Sequence, residues 1–186
     1  MIIDWLKKRI NAKIVYYGPA MSGKTTTVKS ILRHYKAEEE LHSIETSHGR
    51  TLFFDFGNLK FKLNNEWELN INIWSATGQD FYYATRGSVL NDADGIIFVA
   101  DAQQEKLIHN KHSFEELRRA LEEGKINRKI PIVVCINKCD MPNRINKEDL
   151  IRELALNGVP IYETIATNGY NTIEAFKEML GLIFKN

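Results

Sequence analysis

Two stretches of the chain contain unbroken apolar runs. D94-G-I-I-F-V-A-D101 and K129-I-P-I-V-V-C-I136 offer no polar face, the signature of strands buried on both sides of a parallel sheet. By contrast, E66-W-E-L-N-I-N-I-W74 alternates polar and apolar residues, and T51-L-F-F-D-F56 is rich in strand formers. Asn64-Asn65 between them is a tight-turn pair, because asparagine tolerates positive φ, so the two stretches read as an antiparallel hairpin. K13-I-V-Y-Y17 is a strand, and T26-T-V-K-S-I-L-R-H-Y35 a helix. Helical spacing recurs at Phe114, Leu117 and Leu121, in K147-E-D-L-I-R-E-L-A-L156 and in T172-I-E-A-F-K-E-M-L-G-L-I-F184. The third of these helices stops at Asn157-Gly158, and V159-P-I-Y-E-T164 is a last short strand.

Strands alternate with helices, which predicts a single α/β domain over residues 1–186. It is a doubly wound, mostly parallel sheet with one antiparallel pair. Two segments are less regular. A37-E-E-E-L-H-S-I-E-T-S-H-G-R-T51 is polar without a period and reads as a mobile loop. M1-I-I-D-W-L-K-K-R-I10 reads either as a basic membrane-surface helix or, preferred here, as a short strand with Trp5 packed on the domain.

Composition narrows the function. With 44% hydrophobic residues and a net charge of +1, the chain can bury a core and carries no field that would attract nucleic acid or an acidic membrane. No apolar run is long enough to span a bilayer, and no signal peptide or lipidation motif is visible, so a cytoplasmic protein without an intrinsic membrane anchor is expected. Cys135 and Cys139 lack ligand-spaced histidines and read as reduced thiols.

Two short motifs carry the chemistry. G18-P-A-M-S-G-K-T25 fits the phosphate-loop pattern G-x-x-x-x-G-K-[ST] between a strand and a helix. Backbone N–H groups over Gly18, Ala20, Met21, Ser22, Gly23 and on to Thr26 would face nucleotide phosphates. Lys24 would reach the β- and γ-phosphates and Thr25 a Mg²⁺ ion. A glycine turn merely joining strand to helix is the plainer alternative. N137-K-C-D140 follows a buried strand. Asp140 can accept hydrogen bonds from the N1–H and exocyclic amine of guanine, a donor pair that adenine lacks. Lys138 would lie along the base plane and Asn137 would tie this loop to the phosphate loop.

With these motifs, and with Y16-Y-G-P-A-M-S-G-K-T-T26, G49-R-T-L-F-F-D-F56 and T77-G-Q-D-F-Y82, nearly the whole chain resembles the Ras-like small GTPases. It is most similar to the prokaryotic gliding-motility or polarity GTPases of the MglA type. The resemblance implies a switch that binds GTP or GDP with Mg²⁺ and hydrolyses GTP, with a Roadblock-fold activator and polarity or motility effectors as partners. In E163-T-I-A-T167, the Ala166 N–H would meet the guanine O6; Thr167 stands where the family has lysine. Thr51 would complete the Mg²⁺ shell and Gly78 would touch the γ-phosphate. Gln79 would orient the attacking water, with Arg50 as an arginine supplied within the chain and Lys24 as the third catalytic group.

Two departures stand out. Ser75 occupies the place of the family's Mg²⁺-associated Asp, and Ala20 that of a glycine whose replacement crowds the transition state. A hairpin turning at Asn65 sets Asp55 opposite Ser75, which makes Asp55 the candidate to supply the missing charge, with Asp101 competing. A non-catalytic GTP-binding scaffold is the alternative function, and an ATP-using phosphotransferase a distant third. Phe53, Phe81, Tyr82 and Tyr83 are equally readable as partner surface or as core.

Overall fold

The computed structural model describes residues 1–45, 51–63, 66–76, 88–123 and 130–185. Among these, eight strands form one sheet. They are β1 (Ile2–Asp4), β2 (Arg9–Tyr17), β3 (His42–Glu45), β4 (Thr51–Lys62), β5 (Glu68–Ala76), β6 (Gly95–Asp101), β7 (Ile132–Asn137) and β8 (Ile161–Thr164). Four α-helices accompany them: α1 (Lys24–His34), α2 (Leu107–Glu122), α3 (Lys147–Leu154) and α4 (Thr172–Lys185). The strand order is β3-β4-β5-β2-β6-β7-β8, with β1 antiparallel to β2. β2, β5, β6, β7 and β8 run parallel, while β4 is antiparallel to both β3 and β5.

Every residue of β6 is buried, because the pleat sends alternate side chains into two separate cores. Ile97 and Val99 join Ile14, Tyr16, Val28, Ile31 and Phe176 on one face. Ile96, Phe98 and Ala100 join Val15, Phe114, Leu117 and Leu150 on the other. The continuous apolar run in the sequence is thus the mark of a strand with both faces covered.

Helix boundaries follow from local chemistry. α3 starts where the Asn146 side chain accepts the Glu148 N–H at 2.9 Å, with Glu148 and Asp149 in the first turn favouring the positive helix end. It stops at Leu154, earlier than the Asn157-Gly158 pair indicates, because Ala155 takes left-handed geometry (φ 49). Arg118 offsets that local strain by donating to both Leu154 O and Ala155 O at 2.9 Å.

The hairpin register is the one that a turn centred between residues 64 and 66 requires: Asp55 pairs with Ser75, and Leu63 N–H donates to Trp67 O at 2.9 Å. Asn64 and Asn65 themselves, and Phe81, Tyr82 and Tyr83, lie outside the described residues.

Other expectations are corrected. Part of the polar 37–51 segment is ordered: Glu38–Glu40 forms a 3₁₀ turn and β3 pairs with β4, so main-chain hydrogen bonding outweighs the missing period. The opening is a strand, but Trp5 is 72% exposed and meets Trp67 edge-to-face, with ring centroids 5.3 Å apart. The strand expected from Lys129 begins at Ile132, after Pro131, which has no N–H to give a ladder. In β5 the alternation hides buried polar groups. Asn70 donates to Asn11 at 3.2 Å, and Asn58 donates to Asn72 at 2.9 Å.

Candidate nucleotide site

The carboxyl ends of β2, β6, β7 and β8 lie side by side, and the chain crosses from one side of β2 to the other between β5 and β6. Ligands of doubly wound sheets bind at such a reversal. All the described motif residues gather at this edge.

The phosphate loop leaves β2 through Gly18, which holds φ 143; a Cβ there would lie 2.3 Å from Val99 O on β6. Gly23, the N-cap of α1, holds φ 99, and a Cβ would lie 2.2 Å from Asn137 Nδ2. Only glycine fits at either point. Met21 is also left-handed (φ 64) and exposed, as is the methyl of Ala20 beside it. Lys24 is buried and its Nζ donates to Gly18 O at 2.9 Å and Pro19 O at 2.7 Å, so the ammonium is held on the loop's own carbonyls. α1 has no acidic residue in its first turn, while Arg33 and His34 sit in its last. Its positive end is therefore not answered by a first-turn carboxylate, which suits an external anion. Thr26 is exposed on that first turn, and Thr27 Oγ1 donates to Gly23 O at 2.9 Å.

Thr25 Oγ1 donates to Asp55 Oδ2 at 2.5 Å. Asp55 is fully buried in β4, opposite Ser75 on β5, which carries no carboxylate. A hydroxyl and a carboxylate in contact are hard oxygen donors, the set that Mg²⁺ prefers. The competing carboxylate is engaged elsewhere: Asp101 Oδ2 accepts from Lys138 Nζ at 2.6 Å. Of the two carboxylates, Asp55 is the one in contact with Thr25.

Asn137 joins three loops. Its Nδ2 donates to Ser22 O at 2.8 Å, and its Oδ1 accepts from Ala166 N–H at 2.9 Å and Thr164 Oγ1 at 3.3 Å. The Ala166 amide, assigned by resemblance to guanine O6, is thus engaged by Asn137 here. Cys139 N–H donates to Thr164 O at 3.3 Å, while Arg144 bridges Cys139 O and Glu163 Oε1. The loops after β7 and β8 are in this way zipped together, with Asp140 and Thr167 exposed. Burial, with the Glu163 charge adding, raises the Cys139 thiol, so it stays protonated and donates to Ile136 O at 2.9 Å.

Thr51 opens β4 opposite Glu45, with only its backbone described. Arg50, Gly78 and Gln79 lie outside the described residues. Sequence reasoning missed two groups: the role of Asp101 as partner of Lys138, and Asn110. Asn110 had a legible signal, since it sits on the apolar stripe of α2 with Phe114 and Leu117 yet is polar and fully buried.

The sequence profile of the Ras family matches residues 13–185. The chain is 37% identical over 184 residues to the "Mutual gliding-motility protein MglA" of Myxococcus xanthus, covering 97% of this chain and 94% of that protein. It is 31% identical over 179 residues to the Ras-like protein rasB of Dictyostelium discoideum, covering 94% and 83% of the two chains. The Ras-related protein Rab-27A of Rattus norvegicus is 30% identical over 122 residues, which are 63% of this chain and 52% of that one. With its phosphate loop, guanine-type loop and strand order, the chain belongs to the Ras family of small GTPases and is of the MglA type.

Proposed function

We propose that this protein is a GTP-hydrolysing molecular switch whose GTP-bound and GDP-bound states present different surfaces to a partner. The observation that carries the reading is the Asn137 junction. One buried side chain couples the loop suited to phosphates with the two loops suited to guanine, so base and phosphates are read as one ligand. Thr25, Asp55 and Thr51 would hold Mg²⁺, which supplies charge neutralisation on the phosphate oxygens. Lys24 brings a second positive charge to those oxygens. Asp140 accepts from the guanine edge, which selects against adenine.

Hydrolysis needs an in-line water and charge stabilisation on the γ-phosphoryl oxygens, and a positioned arginine contributes about 10³–10⁵ in rate. Gln79 orients that water and Arg50 supplies the charge. Thr51 and Gly78 contact the γ-phosphate, so loss of that phosphate releases both loops. A Roadblock-fold activator that seats Arg50, and effectors in gliding motility or polarity, fit the similarity to MglA.

The test is single-turnover hydrolysis of loaded GTP by wild type, Arg50→Ala and Gln79→Ala, with and without a Roadblock-fold protein. The reading expects turnover in wild type, alone or with the activator, and losses of at least about a hundredfold in both variants. Tight GTP binding with no turnover under any condition would instead make the protein a scaffold.

A further inference from the structure

We propose that Asp101 and Asn110 are a positioning device for Lys138, and that through Lys138 they set how long a guanine nucleotide stays bound. The proposal rests on the reading above, in which N137-K-C-D140 receives the base.

Asp101 is the last residue of β6, and its side chain is 2% exposed. Its carboxylate is divided between two donors: Oδ1 accepts from Gln103 N–H at 3.1 Å, and Oδ2 from Lys138 Nζ at 2.6 Å. The backbone of the same residue is clipped by one side chain. Asp101 N–H donates to Asn110 Oδ1 at 2.9 Å, while Asn110 Nδ2 donates to Asp101 O at 2.8 Å. Asn110 is fully buried in α2, so α2 fixes the peptide that carries the carboxylate. Asp101 also pairs in register with Asn137, and Ala102 N–H donates to Asn137 O at 2.8 Å. The ends of β6 and β7 therefore cannot slide past each other without breaking this set.

Lys138 itself holds φ 68, a left-handed backbone unusual for lysine. It follows Asn137, the residue that reaches the phosphate loop, and it precedes Asp140 by two. With its ammonium pinned on Asp101, its methylene stem is held in place as a flat apolar wall before any base arrives. A free lysine samples many rotamers, and a base landing on it would have to freeze them. Pinning removes that requirement, which corresponds to about tenfold in affinity. GDP and GTP share the base, so the effect falls on both alike. A merely structural ion pair would have no such dependence on Lys138.

The experiment is release of a fluorescent GDP analogue from full-length protein in wild type, Asp101→Asn, Lys138→Met and the double variant. Release is expected to quicken about tenfold in Asp101→Asn and in Lys138→Met, and the double variant is expected to match Lys138→Met alone. Should Asp101→Asn fail to fold, Asn110→Ser keeps both charges and loosens the Asp101 peptide. It is expected to quicken release several-fold, and to add nothing in the Lys138→Met background. Normal GDP binding with unchanged release in Asp101→Asn, or effects that multiply in the double variant, would overturn this proposal alone. Failure of wild type to bind GDP would overturn the guanine reading and the proposal with it.

Discussion

Replacing Asn137 by alanine removes a side chain that ties its own loop to the phosphate loop and to the loop after β8. Asn137 is 2% exposed, and its partners Ser22 and Ala166 are also buried. The substitution leaves Ser22 O and Ala166 N–H without the bonds they make at 2.8 and 2.9 Å. A buried polar backbone group without a partner costs about 1–3 kcal/mol. The Thr164 bond at 3.3 Å is longer and adds less. Two such groups give about 3 kcal/mol after partial relaxation, which for a domain of this size is about 10 °C in Tm.

Nucleotide affinity should fall with it, because the loops on either side of the ligand lose their common anchor. The assay is thermal unfolding by circular dichroism at fixed nucleotide concentration, with Thr164→Val as the control. That control keeps the Ala166 bond and should shift Tm by only about 2 °C. An Asn137→Ala protein melting within about 2 °C of wild type would refute the claim that this junction organises the site.

Further outcomes follow from the same geometry. Gly23→Ala forces a left-handed conformation at a cost of about 1–2 kcal/mol and drives a methyl into Asn137 Nδ2, so nucleotide titration should show binding weakened at least about tenfold. Asp55→Asn should abolish the Mg²⁺ dependence of nucleotide release measured with and without a chelator; an unchanged dependence would remove Asp55 from the metal shell. Burial pushes the Cys135 thiol up to about 12 and the Tyr16 phenol well above its usual value, and both are fully buried. Their neutral forms are favoured by folding, while the unfolded chain loses these protons at ordinary values. Stability is therefore full below about pH 9 and falls as pH rises toward about 12. Urea midpoints should drop across this window, less steeply in Cys135→Ala, and a flat profile would contradict the assignment.

The sequence already carried the parallel core, because an unbroken apolar run has one good explanation when helices flank it on both sides. The Asp55–Ser75 pairing was also readable, since a tight turn at a known residue fixes every pair up a hairpin. Local patterns were silent where long-range contacts decide. The edge strand His42–Glu45 is polar and gains its order from β4, and Ala155 ends α3 because Arg118 from another helix caps its carbonyls. Asp101 read as a stray carboxylate at the end of β6, competing for the metal. Its partner Lys138 lies 37 positions away, and only the β6–β7 register brings them together.

A single site that reads guanine and phosphates together must discriminate among nucleotides. The most direct test is competition of GTP, GDP and ATP for the purified protein, beside Lys24→Met. GTP and GDP should bind tightly, ATP should compete at least about a thousandfold more weakly, and Lys24→Met should lose most affinity for GTP. Equal competition by ATP, or undiminished GTP binding in Lys24→Met, would contradict such a site.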